Sequence, residues 1–185
     1  MKSSSALSHF IALIIITVIM LTIYATVQQS YRTAANDPQL QIARDMRKAL
    51  SEGKPINKLF PVYDIDLKES LAVFAELFDK NGKPIRSSGL LNGALLQPPQ
   101  GIFSYTNEHS EDVLTWQPQN NIRMAMVFEK ASGNDIGFIA VGRSLQETEI
   151  RESNLIRMIL VAWVACVGLL LVHSLIQNYL SREVK

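Results

Sequence analysis

Four side chains have the chemistry to bind a small ligand, and all lie in stretches that predict β-strands: Tyr105, Trp116, Arg123 and Arg143. An arginine can bind a carboxylate through two parallel hydrogen bonds, and an aromatic ring can form the wall of a pocket beside it. Strand alternation explains the same residues as a solvent-facing side and ordinary core aromatics. We favour that structural interpretation and keep the four residues as a speculative ligand site.

The sequence has no residue pattern typical of a catalytic or metal site. His109 lies among acidic residues, but an exposed acidic turn over residues 108–112 explains it without a cation. His9 and His173 fall near the same end of two apolar stretches, where interfacial histidines are commoner than a haem held by two helices. Glycine-rich phosphate loops, Cys-x-x-Cys, His-Glu-x-x-His and Gly-x-Ser-x-Gly motifs are absent. We therefore expect no enzymatic activity, no metal and no cofactor.

A helix-start signal follows the last predicted strand. Ser144 and Glu147 fit a capping box, in which the serine accepts a hydrogen bond from a backbone amide and the glutamate reaches back to another. Arg143 has a second explanation here, since it could end the strand by pairing with this acidic segment. No proline follows before Leu180. We predict that Ser144, Glu147 and Glu149 form a rigid connector from the last strand into a long helix.

Two apolar stretches, residues 10–27 and 158–177, contain no Asp, Glu, Lys or Arg. About 20 apolar helical residues cross a bilayer's hydrocarbon core, so each stretch is long enough. The first could be a cleaved signal peptide, but its apolar run is longer than usual and residues 25–27 form a poor cleavage site. In the second, Ala162 and Cys166 share a helix face where small residues let another helix approach. Plain lipid exposure explains that face equally well.

These stretches divide the chain into segments with one globular domain between two anchors. Lys2, Arg182 and Lys185 flank the outer ends of these stretches, and Arg32 and Arg157 flank the inner ends. Because long loops cross the membrane largely regardless of charge, we place both chain ends in the cytoplasm and the domain outside it, in a bacterial inner (plasma) membrane. We expect no cytoplasmic output domain in this chain. The predicted segments are a cytoplasmic N-terminus (1–9), a first transmembrane helix (10–27), an extracytoplasmic domain (28–157), a second transmembrane helix (158–177) and a cytoplasmic tail (178–185).

The middle of the chain has the composition of an ordinary α+β domain. Residues 28–157 carry 15 basic and 16 acidic side chains, and this near-neutral mixture argues against nucleic acid as a partner. Asp37 and Pro38 mark a helix start, and the helix runs to Ser51. Alternation and turn residues then predict an antiparallel sheet of about five strands, over residues 72–78 (where a helix also fits), 84–88, 102–106, 113–117, 122–129 and 136–143.

Two short stretches, residues 77–88 and 137–145, carry a family resemblance. The first contains an Asp-x-x-Gly turn at Asp79–Gly82, and the second runs into the connector. They resemble the central hairpin, the last strand and the exit helix of extracytoplasmic PAS-like (Cache-like) sensor domains, the input halves of two-span sensor histidine kinases. The resemblance implies a PAS-like sheet domain and a role in two-component signal transduction.

The chain departs from that family after its second apolar stretch, where no HAMP module, phospho-acceptor histidine region or ATP-binding motif follows. We therefore predict a membrane-anchored sensor or signalling accessory that relays a signal through its membrane helices to a separate output protein. The alternative is a structural or assembly subunit of a cell-envelope membrane complex. The expected partners are the lipid bilayer, a membrane protein or a second copy of this chain, and a small-molecule ligand.

Overall fold

The structure is a computed structural model, and it describes residues 2–55, 59–60, 65–133 and 135–183. The chain divides into two units, Arg32–Glu149 and the paired segments Met1–Tyr31 and Ile150–Lys185. Within the described residues the order of elements is α1 (Lys2–Ser51), β1 (Ile65–Asp66), β2 (Phe74–Asp79), β3 (Pro84–Ser87), β4 (Gly89–Leu90), α2 (Gln100–His109), β5 (Glu111–Gln119), β6 (Ile122–Gly133), β7 (Ile136–Ser144) and α3 (Gln146–Glu183).

The paired segments belong to the two longest helices. α1 and α3 are both long and apolar enough to cross a membrane. Their most apolar windows have mean hydropathies of 2.7 and 2.6, and no residue of either window is buried. Within this unit the indole Nε1 of Trp163 donates a hydrogen bond to Thr17 Oγ1 at 3.0 Å. The unit is therefore a pair of apolar helices joined by at least one polar contact.

The predicted helix start at Asp37 is wrong, because α1 runs without a break from Lys2 to Ser51 and contains Pro38 in its interior. The polar segment 28–35 is part of the same helix. It holds no glycine or proline and ends in two alanines, so nothing in it interrupts a helix that begins in the apolar stretch. Pro38 then removes one backbone hydrogen bond without ending the helix.

The second unit contains an antiparallel sheet in the order β3-β2-β7-β6-β5, beside a parallel pair of β1 with β4. The predicted strands at 84–88, 113–117, 122–129 and 136–143 are confirmed, and segment 72–78 forms strand β2 rather than a helix. An α+β fold with a five-strand antiparallel sheet, flanked by long apolar helices, is therefore confirmed. The last strand in sequence, β7, lies at the centre of the sheet.

The predicted strand at 102–106 is wrong, because this segment lies in helix α2. Its buried residues, Phe103 and Thr106, are three positions apart and therefore share one side of a helix. The Pro98-Pro99 pair comes immediately before the helix, and Ser110 ends it in the left-handed conformation at φ 71°. A five-residue window is too short to separate a helical from a strand period.

The two faces of the sheet carry two different cores. On one face, α1 packs its buried side chains against alternate residues of the central strands: Ala43, Met46, Leu50, Leu77, Val127, Ile139 and Val141. On the other face, α2 and the β1–β4 pair cover an aromatic and methionine-rich layer: Leu67, Phe74, Phe78, Leu96, Phe103, Met124, Met126, Phe128 and Phe138. We call these the α1 face and the aromatic face.

The two glycines of β7 mark close packing, as their positions in the strand predict. A Cβ on Gly137 would lie 2.6 Å from Lys80 Cα of the β2–β3 turn. A Cβ on Gly142 would meet the side chains of Phe74 and Met126 on the aromatic face. The sheet centre therefore leaves no room for side chains at these points.

Candidate functional site

The first candidate site is the junction where the central strand β7 continues into α3. The backbone amide of Leu145 donates to Arg123 O on β6 at 2.9 Å, and the amide of Glu149 donates to Leu145 O at 2.9 Å. Ser144 Oγ accepts from the amide of Gln146 at 3.3 Å. The chain thus passes from sheet to helix within two residues, with its backbone tied to the neighbouring strand.

Two arginines of the sheet hold the first turns of α3. Arg143 Nη2 lies 2.9 Å from Glu147 Oε2, and Arg143 Nε donates to Leu71 O at 3.2 Å. Arg123 Nη1 lies 2.7 Å from Glu149 Oε1. The second explanation for Arg143, pairing with the acidic connector, is confirmed. Because all four groups are partly exposed, these ion pairs orient the helix start and add little to stability.

A shallow groove of about 280 Å³ lies beside this junction. Its lining combines the Arg123–Glu149 pair with Lys68, Ser144 and the amide side chains of residues 119–121. The lining is polar, and its charged groups include both cations and an anion. A ligand bound in it would contact the first turn of α3.

The four speculative ligand residues do not share one pocket. Arg143 pairs with Ala125 in the β6–β7 ladder, and Arg123 lies two positions before Ala125 on β6. Both arginines therefore lie on the α1 face. Trp116 pairs with Met124 and packs on the aromatic face. Tyr105 lies on α2, where its ring is 48% exposed and stacks on His109 at 4.0 Å. The sheet therefore separates the arginines from the aromatic side chains.

Two buried glutamates, one on each face of the sheet, are further candidate sites that the strand patterns did not predict. Glu76 and Glu129 are 0% and 1% exposed. Glu76 lies between Phe74 and Phe78 in β2, so it shares their inward direction, and Glu129 continues the alternation of β6 onto the α1 face. A sequence signal was present, because an acidic residue in a strand whose two faces are both apolar has no solvent side.

Glu129 has cationic neighbours on α1. Arg47 Nε lies 2.9 Å from its Oε2, and Arg44 Nε lies 3.8 Å from its Oε1. Arg44 also contacts Glu111 at 3.3 Å, which pairs with Glu129 across the β5–β6 ladder. Burial raises the pKa of Glu129, Arg47 and Arg44 oppose that rise, and the negative charge of Glu111 adds to it.

Among the residues that the structure describes, no arginine or lysine forms an ion pair with Glu76. Neither of its carboxyl oxygens has a hydrogen-bond partner of good geometry among the described residues. Burial raises the pKa of Glu76 to about 8, opposed by the backbone of Leu96. A carboxyl in such a place is protonated at neutral pH, because leaving a charge unpaired in an apolar layer would cost far more.

In the helix pair, the rings of His9 and His173 lie 5.5 Å apart, and His173 Nε2 is 3.0 Å from Gln177 Nε2. Ala162 and Cys166 are half-buried. In the part of the chain that the structure describes, no three His, Cys, Asp or Glu side chains come together as a metal site. The geometry of this region supports helix packing.

No family model matches this chain, and no curated protein matches it. The resemblance to PAS-like sensor domains therefore rests on residues 77–88 and 137–145.

Proposed function

We propose that this chain is a membrane-anchored sensor or signalling accessory protein. Its sheet domain lies outside the cytoplasm of a bacterial cell and detects a ligand or a partner. Its helices α1 and α3 cross the inner membrane and relay the change to a separate output protein. The observation that carries this proposal is the junction between β7 and α3, where two ion pairs bind the helix start to the sheet.

The position of β7 supports a relay. This strand contacts both β2 and β6, so a change on either side of the sheet centre shifts the strand that leads into α3. Only Leu145 separates β7 from α3, which leaves little flexible chain to absorb such a shift. A PAS-like input domain, in which the last strand leads into an exit helix, would work in this way.

Changing the helical phase of the connector tests the relay. Two residues inserted after Glu149 rotate the rest of α3 by about 200° relative to the sheet, whereas seven residues bring it back to within about 20°. Both variants are expressed in a strain that lacks the chain, and its transcript profile is the readout. We expect the seven-residue insertion to restore the profile and the two-residue insertion to fail. Equal restoration by both would make α3 a passive tether and overturn the proposal.

Protease protection tests the membrane arrangement. An epitope inserted in the exposed turn at Lys80 should be destroyed when protease is added to intact spheroplasts, while an epitope at the C-terminus should survive. The same C-terminal epitope should be cleaved once the membrane is permeabilised, which serves as the control. The reverse pattern would place the sheet domain in the cytoplasm.

The alternative function, a structural or assembly subunit of a cell-envelope complex, is favoured by the edge strand β5. The amide of Lys130 donates to Ser110 O at 2.9 Å. This bond shows which residues of β5 form hydrogen bonds with β6, because hydrogen-bonded and non-hydrogen-bonded pairs alternate along an antiparallel ladder. Val113, Thr115 and Gln117 then direct their backbone groups away from β6, toward the open edge. Nine residues of edge strand could accept an extended segment of another protein.

Proline substitution at Thr115 separates the two functions, because it blocks pairing at the open edge while leaving the β5–β6 hydrogen bonds in place. Loss of an envelope complex with a normal transcript profile would support the assembly function. A changed profile with the complex intact would support sensing.

A further inference from the structure

Glu76 is the one buried carboxyl among the described residues that faces neither an arginine nor a lysine within 4 Å. Glu76 pairs with Ser87 of β3 on one side and with Ala140 of β7 on the other. Its side chain therefore projects from a strand that has a neighbouring strand on each side. Both oxygens are inaccessible to solvent, and neither has a hydrogen bond of good geometry among the described residues, although the Leu96 backbone acts on the carboxyl group. An unsatisfied buried carboxyl is a destabilising feature that calls for an explanation.

Most of the buried side chains on the aromatic face are apolar, and the cross-strand partner of Glu76 is Ser87, whose buried hydroxyl donates to Gly89 O at 2.7 Å. Phe74 and Phe78 flank it along β2, and Phe103 from α2 contacts Phe78 with ring centroids 5.0 Å apart. The segment between β4 and α2, residues 91–99, adds Leu96, which is 3% exposed. This segment contains no Asp, Glu, His, Lys or Arg.

No ion pair joins Glu76 to a charged group of the neighbouring elements among the described residues. Asp112 of β5 and Lys130 of β6 share the face by register, and Lys130 Nζ donates to Asn107 O at 3.1 Å. Glu108 and His109 lie at the exposed end of α2, Asp66 of β1 is exposed, and Arg86 of β3 stacks over Phe60. None of these charges contributes to the shifted pKa of Glu76, whose causes are burial and the Leu96 backbone.

The segment 91–99 reaches this site through Leu96, which belongs to the aromatic face and whose backbone acts on Glu76. Asn92 and Gly93 form a tight turn with φ of 53° and 76°, closed by the hydrogen bonds between Leu91 and Ala94. Beyond the turn, Leu96 and Pro98 are the buried residues, whereas Gln97 and Pro99 are exposed. The segment belongs to no helix or named strand, so we take its displacement to be the least costly way to bring water to Glu76.

We propose that Glu76 is a proton-binding site, and that loss of its proton lifts residues 91–99 from the aromatic face and disturbs the β2–β7 pairing beside the junction. The step is the release of one proton from the carboxyl group to solvent, with water entering as the segment opens. The inference deepens the proposed function by naming the proton as the ligand, and it rests on that function for its relay to α3. The pKa of about 8 puts the change in the mildly alkaline range.

Cysteine accessibility in the full chain tests the opening. In a Cys166→Ala background, Leu96→Cys reports on the buried position and Gln97→Cys on its exposed neighbour, and each is labelled with an uncharged maleimide from pH 6 to 9. The ratio of the two rates cancels the ionisation of the thiols. We expect this ratio to rise about tenfold per pH unit up to pH 8 and then to level off, because the open form carries one proton fewer.

Two matched variants decide the result. Glu76→Gln should make the ratio independent of pH, while Glu129→Gln, the buried glutamate of the opposite face, should leave the rise unchanged. A rise that persists in Glu76→Gln overturns the proposal, and so does a flat ratio in the wild-type background.

Hydrogen exchange of residues 91–99 and infrared spectroscopy repeat the test without altering Leu96. The difference spectrum between the wild-type chain and Glu76→Gln at pH 6 should contain a protonated carboxylic-acid band; a difference spectrum without this band overturns the proposal. These readouts are local to the sheet domain. If they succeed while the phase insertions in α3 have equal effects, the proton site stands and the relay fails.

Discussion

The sheet buries one glutamate on each face, and the two faces treat the same side chain differently. Glu129 lies under α1, where Arg47 and Arg44 approach its carboxylate. Glu76 lies in the aromatic face, where no cation approaches it among the described residues and its pKa rises to about 8. The two arginines reach Glu129 from the polar side of a helix that is half in solvent, whereas aromatic side chains, Leu96 and Pro98 enclose Glu76.

Burial alone therefore does not set the charge of a carboxyl group. Both groups lose hydration, and that loss favours the protonated form in each. Neighbouring cations offset the loss for Glu129 only. The arginines of α1 thus favour the charged form of Glu129, whereas no cation favours the charged form of Glu76 among the described residues.

The largest expected effect comes from replacing Glu76 with methionine, which keeps the length of the side chain and removes its proton. The folded domain holds this proton up to a pKa of about 8, whereas an exposed glutamate has a pKa of 4.5. Wild-type stability is therefore complete below pH 4.5 and is lost as pH rises through 8. Each pH unit is worth about 1.4 kcal/mol, so Glu76→Met should stabilise the domain by roughly 3 kcal/mol at pH 7.

Thermal unfolding of the full chain in micelles, followed by Trp116 fluorescence in a Trp163→Phe background, measures this gain. The pH dependence between 5 and 8 should vanish in Glu76→Met. Glu76→Gln should also be insensitive to pH but less stable than Glu76→Met, because its amide stays buried without partners. Identical pH profiles for wild type and Glu76→Met would show that Glu76 does not titrate in this range.

The second effect comes from making the α1 face resemble the aromatic face. Arg44→Ala with Arg47→Ala leaves Glu129 buried without its counter-charges, and we expect a loss of about 2 kcal/mol at pH 7. The pKa of Glu129 should rise further, so stability should now fall as pH increases from 5 to 9. Lys48→Ala, an exposed neighbour on the same helix, is the control. Adding Glu129→Leu to the double variant should restore most of the stability, and failure to do so would mean that the arginines act through packing.

A smaller effect is expected where arginine–glutamate pairs lie at the surface. Arg123 and Glu149 are 49% and 44% exposed, so Arg123→Gln should lower stability by less than about 1 kcal/mol. The variant should nevertheless weaken the connector's hold on α3, measured as faster hydrogen exchange of the amides at residues 145–149. A large loss of stability would show that the Arg123–Glu149 pair stabilises the fold as the Arg47–Glu129 pair does.

The smallest effect concerns an exposed carboxylate with the opposite sign of pH dependence. Asp79 accepts hydrogen bonds from the amides of Asn81 and Lys83, both at 2.8 Å. The amide of Lys83 is the main reason that the pKa of Asp79 is lowered. Its contribution is present at neutral pH and is lost as pH falls through the lowered pKa. Asp79→Asn should flatten the melting temperature profile between pH 2 and 5 and leave the alkaline limb, which belongs to Glu76, unchanged.

Local patterns predicted much of the fold because they depend on neighbouring residues alone. The alternation over 122–129 produced β6, and the turn around Gly82 is real, with φ of 78°. The pattern failed at residues 102–106, where a short window fits both periods, and at Asp37, where a capping signal lies inside a longer helix. Both failures concern signals whose outcome depends on the preceding segment.

The candidate site was predicted only in part. Ser144 and the acidic residues after it marked the start of α3, and the capping box predicted a backbone amide as the partner of Glu147, whereas the structure gives it an ion pair with a side chain. Its partner, Arg143, is four residues away, and a spacing of that kind is visible in a sequence. The partner of Glu149 is Arg123, 26 residues away, and only the pairing of β6 with β7 brings the two together.

The sequence by itself determined that two long apolar helices flank an α+β domain, because length, hydropathy and period are properties of each segment. It also determined that the last strand runs straight into a helix. Only the tertiary structure decided that β7 lies at the sheet centre and that Glu76 is enclosed while Glu129 is paired. The reason is that strand order and the coverage of each face depend on contacts between distant segments, and the environment of a carboxyl group is the sum of those contacts.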